Sequence, residues 1–212
     1  MSIPIRIRSD ALGVSGGTGC SGTITVDASC TLLVVFDIQL KDPNLPTSQA
    51  VTIAGSAMTL LQSVDNGSMI IKAFYKVNPT TGSQTLAETH TNNALTRLYA
   101  IQYSGLGATP VATGATATGT STGPSVNVTG SLNYYEILDA VAWNDASATA
   151  SVGGGQTQLI NNSPSYDLGA ASSIETGTGT ITMSWTLSAS KPWVESAIIV
   201  IGTPGGAQVI MF

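Results

Sequence analysis

The nine residues Thr180-Ile181-Thr182-Met183-Ser184-Trp185-Thr186-Leu187-Ser188 alternate hydroxyl and apolar side chains without a break. Successive side chains of an extended strand point to opposite faces, so this pattern demands a β-strand with one buried and one wetted face. The same period of two runs through Thr23 to Val26, through Val126 to Thr129, and through Ile3, Ile5 and Ile7.

A second class of segment is apolar on both faces: Leu32 to Leu40, Met69 to Val77, Leu95 to Tyr103, Tyr135 to Trp143 and Trp193 to Ile201. Their β-branched and aromatic content suits central strands. Leu32 to Leu40 and Tyr135 to Trp143 are short enough to read as buried helices too, but the strand signals on either side favour strands. Turn sequences separate the segments: Asp42-Pro43-Asn44, Asp65-Asn66-Gly67, Asn78-Pro79-Thr80-Thr81-Gly82, Ser104-Gly105, Gly153-Gly154-Gly155 and Thr203-Pro204-Gly205-Gly206. Residues 112 to 125 hold nothing large enough to anchor a core, so they are expected to form a loop with weak strand pairing at its edges. All-β domains reach 212 residues as one unit. The expectation is therefore an all-β fold, a single antiparallel β-sandwich over residues 1–212, with short extensions at 1–10 and 203–212 that make subunit contacts.

Strands with one wet face need a polar surface, and here charge does not supply it. Charged residues are 9% of the chain, against roughly 25% in ordinary soluble domains, and mean hydropathy is +0.26. Ser, Thr, Asn, Gln and Gly take that role, leaving a neutral surface with weak long-range repulsion between copies. Seven basic residues scatter along a chain of net charge -5, without the concentrated footprint that nucleic acid requires. The longest apolar runs are strand-length, well short of the ~20 residues of a membrane-crossing helix, so no membrane insertion is expected. Charge interrupts the apolar residues of Met1-Ser2-Ile3-Pro4-Ile5-Arg6-Ile7-Arg8, which does not read as a secretory signal.

Few motifs carry chemistry. Gly17-Thr18-Gly19-Cys20-Ser21-Gly22 matches the spacing of a dinucleotide-binding loop, but a strand follows it where a helix is required. No cofactor is expected. Cys20 and Cys30 flank one short strand, and a disulfide between them and two free thiols are both open readings. The only histidine, His90, lies in the polar stretch Glu88-Thr89-His90-Thr91-Asn92-Asn93 and is read as a solvated loop residue; no serine sits on the sharp elbow a nucleophile would need. Acidic residues occur singly, without metal-ligand spacing. Asp139, inside an apolar strand, is either a buried acid with a raised pKa or, in the favoured reading, an Asp hydrogen-bonded at a strand bend or subunit contact. The sequons at Asn66, Asn127 and Asn161 carry no weight in so Ser- and Thr-rich a chain. Trp185, on the apolar side of its strand, is assigned to the core. Trp193 and Tyr134 border turns and are the candidates for a sugar-stacking platform.

Val51-Thr52-Ile53-Ala54-Gly55-Ser56-Ala57-Met58-Thr59-Leu60, the aromatic strand Ile71-Lys72-Ala73-Phe74-Tyr75-Lys76-Val77 with its Asn78-Pro79-Thr80-Thr81-Gly82-Ser83 turn, and Ala100-Ile101-Gln102-Tyr103-Ser104-Gly105 follow one another in a recognisable order. Asp139-Ala140-Val141-Ala142-Trp143, Gly155-Gln156-Thr157 and Gly179 to Trp185 followed by Trp193-Val194-Glu195-Ser196-Ala197-Ile198 continue it. This order resembles a β-sandwich module common in bacteriophage virion proteins and secreted bacterial proteins. The resemblance implies a jelly-roll, concanavalin-like or lectin-like sandwich used for display, decoration or attachment, and no catalytic residues. The functional expectation is a non-enzymatic phage virion component, a capsid decoration or other surface-exposed head or tail protein assembled in the host cytoplasm. Its partners would be copies of itself and neighbouring virion proteins. The alternative is an extracellular carbohydrate-binding module whose partner is a host surface glycan.

Overall fold

The alternating segment does form a half-buried strand: Ile181, Met183, Trp185 and Leu187 turn inward while Thr180, Thr182 and Thr186 face solvent. The computed structural model describes residues 4–41, 50–106, 110–130, 135–145, 147–165 and 167–202. In chain order the strands are β1 (Ile5–Val26), β2 (Leu32–Lys41), β3 (Ala50–Ile53), β4 (Ser56–Ala57), β5 (Thr59–Asp65), β6 (Met69–Val77), β7 (Gly82–Ser104) and β8 (Val111–Ser121). There follow β9 (Ser125–Gly130), β10 (Tyr135–Asn144), β11 (Ala150–Val152), β12 (Thr157–Ser165), β13 (Leu168–Thr176), β14 (Gly179–Leu187) and β15 (Lys191–Ile201). Every ladder is antiparallel, and no helix occurs among the described residues. The segments open to a helical reading, Leu32 to Leu40 and Tyr135 to Trp143, are strands buried on both faces.

The pairings describe more than the two sheets of a single sandwich. A seven-stranded sheet runs β4-β3-β7-β2-β6-β5 with β1 also on β7; a five-stranded sheet runs β12-β13-β10-β15-β8; a three-stranded sheet runs β11-β14-β9. The long strands β1 and β7 each serve two layers. Their outer parts pair over Gly19–Val26 and Gly82–Thr89, next to β3, and their other parts pair over Ile5–Gly17 and Ala94–Ser104, next to β2. The second half of the chain repeats this plan with each long strand broken in two: β8 and β9 stand for β1, and β14 and β15 for β7. Likewise β10 lies between β13 and β15 as β2 lies between β6 and β7, β12 borders β13 as β5 borders β6, and β11 borders β14 as β3 borders β7.

Residues 5–104 and 111–201 are thus two sandwich-like units of equivalent topology. They pack through their broader layers with exchanged partners: β5 lies on β8 as β12 lies on β1, and β6 lies on β15 as β13 lies on β7. This is the contact pattern of a two-fold axis, here within one chain.

Alternation along β2 and β10 builds the layers. Val34, Phe36 and Ile38 with Leu138, Ala140 and Ala142 enter the core shared by the two units. Leu33 and Val35 enter the core of the first unit, and Ile137, Val141 and Trp143 that of the second. Each fully buried Leu, Ile or Phe contributes roughly 1.5–3 kcal/mol, and strands buried on both sides place such residues in two cores at once. Polar side chains also join the units: Tyr103 Oη donates to Glu136 Oε1 (2.6 Å) and Tyr99 Oη to the carbonyl of Ala170 (2.8 Å). Gln62 on β5 accepts from the Gly114 amide and donates to the carbonyls of Ala115 and Ala197, satisfying backbone groups where β8 bulges against β15. In the second unit Trp143 lies directly opposite Gly169, where any Cβ would overlap its indole.

Several expectations change. Most of residues 112–125 form strands: β8 pairs along its length with β15, and β9 begins at Ser125. A weak sequence signal sufficed because strand partners, not large side chains, hold it. Ile5 is 58% exposed, not half-buried, because it lies at the outer end of an edge strand. Residues 5–10 are part of β1 and pair with the chain's own β7. Ile3, the Asp42-Pro43-Asn44 turn, Tyr134 and residues 203–212 lie outside the described residues.

Candidate functional site

The chemistry-bearing side chains of this chain gather inside the two units. In the first, Asp37 on β2 is buried in a largely apolar strand, directly opposite Lys72 of β6. Gln39 Nε2 donates to both Asp37 carboxyl oxygens (2.9 and 3.0 Å). Burial, and then the nearby Glu88, hold the Asp37 carboxyl well above the ordinary carboxylate range.

Glu88 and His90 sit on β7 at the bend where it passes from one layer to the other. His90 is not a solvated loop residue: it is 6% exposed and lies within a strand. Its Nε2 lies 2.8 Å from the Gly17 carbonyl, which can only accept, so Nε2 carries a hydrogen and donates. Its Nδ1 lies 2.8 and 2.9 Å from the two Glu88 oxygens, so imidazole and carboxyl share one proton across that contact. Desolvation raises the Glu88 carboxyl, opposed by the His90 contact. Cys20 pairs with Glu88 across the β1–β7 ladder, and burial followed by the two acids pushes its thiol up to about 11.

In the second unit Asp139 on β10 occupies the place of Asp37. Each is the central acid of its strand, opposite Leu98 or Ala197 on one side and Lys72 or Ser173 on the other. Counting from Gly82 and Gly179, which end equivalent ladders, Glu88 and Trp185 are equivalent too. Asp139 Oδ1 accepts from Ser173 N–H (2.7 Å) and Oγ–H (2.8 Å), and Oδ2 from the Trp185 indole N–H (2.8 Å). Burial nevertheless raises Asp139 to about 6. Glu195 on β15 is fully buried beside it, and neither of its oxygens meets a protein donor. Burial first, and Asp139 next, push Glu195 up to about 10. At neutral pH Glu195 therefore carries a proton, and its own O–H is the one donor it can offer to Asp139.

Sequence reasoning singled out His90 and Asp139 separately, and the fold places them in different units. It missed Asp37, Glu88 and Glu195. The available signal was an acid inside a run apolar on both faces, which Asp37 and Glu195 share with Asp139. Trp193, a proposed sugar platform, is 6% exposed: its indole N–H donates to Ser121 Oγ (3.0 Å) and its ring covers Gly119. Trp185 is in the core as expected. Cys20 and Cys30 are buried free thiols, bonded separately to the carbonyls of Gly13 and Leu32.

These arrangements can hold protons inside a core, but their carboxyls, imidazole and thiols are closed off from solvent by the sheets around them. Among the described residues no three His, Cys, Asp or Glu side chains converge on a metal position. Also among them, no helix is long and apolar enough to cross a membrane. No family model, curated protein or solved structure matches the chain.

Proposed function

We propose that this chain is a structural subunit of a bacteriophage virion, a capsid decoration or other surface-exposed head or tail component present in repeated copies. The observation that carries the reading is where the polar groups point. Five acids, Asp37, Glu88, Glu136, Asp139 and Glu195, and the histidine turn inward, while the outer layers of both units present rows of uncharged hydroxyls. In the first unit Thr23 faces Thr85 and Thr25 faces Ser83 across the β1–β7 ladder, all exposed. In the second, Thr129 and Thr180 hydroxyls bond each other (2.8 Å), and Thr182 donates to Asn127 (2.7 Å). Such faces are wetted without charge, so neighbouring copies come close without repulsion between them.

The strand order supports a finer reading of the fold. In the first unit β1-β7-β2-β6 forms one layer and β1-β7-β3-β4 the other, an order we read as a jelly roll, with the second unit a variant of it. Jelly rolls recur in viral capsid and lectin domains, and fold alone does not choose between them. With Trp193 sealed beneath β8, the glycan reading has lost one of its two platform residues.

Immunogold electron microscopy of intact particles tests the proposal. Gold on the head or tail surface is the expected result, and label confined to the soluble fraction of the lysate overturns it.

A further inference from the structure

The two units share one topology, so their equivalent edge strands can be compared directly. Edge strands invite pairing with other chains, and proteins commonly blunt them with charge, proline or bulges. On the edge formed by β1, Arg6, Arg8 and Asp10 supply charge, Arg8 and Asp10 form an ion pair, and the β1–β7 register breaks three times. The equivalent edge of the second unit is β8. From Val111 to Ser121 it has no charged residue and no proline, and its single bulge lies at the Gly114 end. Beyond Gly114 the strand runs regularly to Ser121, paired with β15 on one side.

We propose that β8 pairs antiparallel with β8 of a second copy, continuing the five-stranded sheet across a two-fold axis. The sequence of the strand argues for a copy of itself. In Ala115-Thr116-Ala117-Thr118-Gly119-Thr120, reversing the strand about Ala117 sets Thr116 against Thr118 and Ala115 against Gly119. Reversing it about Thr118 sets Thr116 against Thr120 and Ala117 against Gly119. Either centre matches hydroxyl with hydroxyl and small residue with small residue, and Thr–Thr cross-strand pairs are favourable. Thr116, Thr118 and Thr120 are exposed in the single chain, while Ala115 and Ala117 lean on the core of the second unit. An uncharged edge also keeps the net charge of -5 away from the line where two copies would meet. The inference deepens the reading of the chain as a repeated subunit and rests on it for its biological setting.

Sedimentation of the full chain, read together with hydrogen exchange at low and high protein concentration, tests the pairing. The expected result is a concentration-dependent dimer whose β8 amides, and not those of β1, gain at least ten-fold protection as it forms. Thr118→Lys sets two like charges near the axis and is expected to give a monomer that melts where the dilute, monomeric wild-type chain does, while Thr118→Val keeps the dimer. A monomeric wild-type chain, or a dimer unaffected by Thr118→Lys and without protection in β8, overturns the pairing. Neither of those results bears on whether the chain is found on particles, so the two readings fail separately. If Thr118→Lys melts below the dilute wild-type chain, the exchange pattern of the wild-type chain decides alone.

Discussion

The protein is expected to melt roughly 10 °C higher at pH 5 than at pH 8, the reverse of what surface carboxylates alone would give. The sign follows from acids whose folded pKa lies above the ordinary range. Glu195, Asp139 and Glu136 are raised to about 10, about 6 and about 7, in each case chiefly by burial. An acid raised in this way binds its proton more tightly when folded, so its contribution is complete below its unfolded pKa. It is lost as pH rises through the folded one. One additional proton held by the folded state is worth about 1.4 kcal/mol for each pH unit, or about 4 kcal/mol over this interval. Asp27, lowered by Ser29, and Asp145, lowered by Lys191 and Ser147, act in the opposite sense, and only at more acid pH. Glu195→Gln keeps the shape and removes that proton, so its melting temperature is expected to vary less between pH 5 and pH 8, with Asp139 and Glu136 keeping their share. A calorimetric scan at the two pH values, wild type beside variant, checks this. A wild-type protein more stable at pH 8 would contradict it.

Asp139→Ala is expected to cost about 3–5 kcal/mol at pH 7. The substitution strips acceptors from the Trp185 indole, the Ser173 amide and the Ser173 hydroxyl in a site closed to solvent. A buried donor left without a partner costs about 1–3 kcal/mol, and the same change relieves Glu195 of its acidic neighbour, which offsets part of the sum. Urea unfolding should show the midpoint falling with an unchanged slope, the sign of lost stability without lost structure. Ser173→Ala, which removes one of the three donors, should cost far less. Equal costs for the two variants would show that Asp139 is not the hub of this network.

The strands were legible wherever side-chain period and burial agree. Thr180 to Ser188 has one wet face and reads as a strand at sight, and Leu32 to Leu40 is buried on both sides and has no helical face to offer. β8 was not legible, because an edge strand needs only one partner and because Gly119 must stay small beneath Trp193. The repetition of the two units was hidden by divergence at the very positions that are equivalent. Asp37 and Asp139 are kept, but Lys72 faces one and Ser173 the other, and Glu88 stands where the second unit has Trp185. Backbone pairing preserves a topology that side chains no longer spell out. His90 was misread for a related reason. Polar neighbours suggested a loop, but the turn of β7 between layers draws Glu88, His90 and the Gly17 carbonyl together and satisfies them internally.

Quantitative mass spectrometry of gradient-purified phage particles tests the central claim most directly. A virion structural subunit should co-purify with infectivity and be present in many copies per particle, in fixed ratio to the major head or tail protein across preparations. A chain that washes away from particles, or is abundant only in the particle-free lysate, would contradict it.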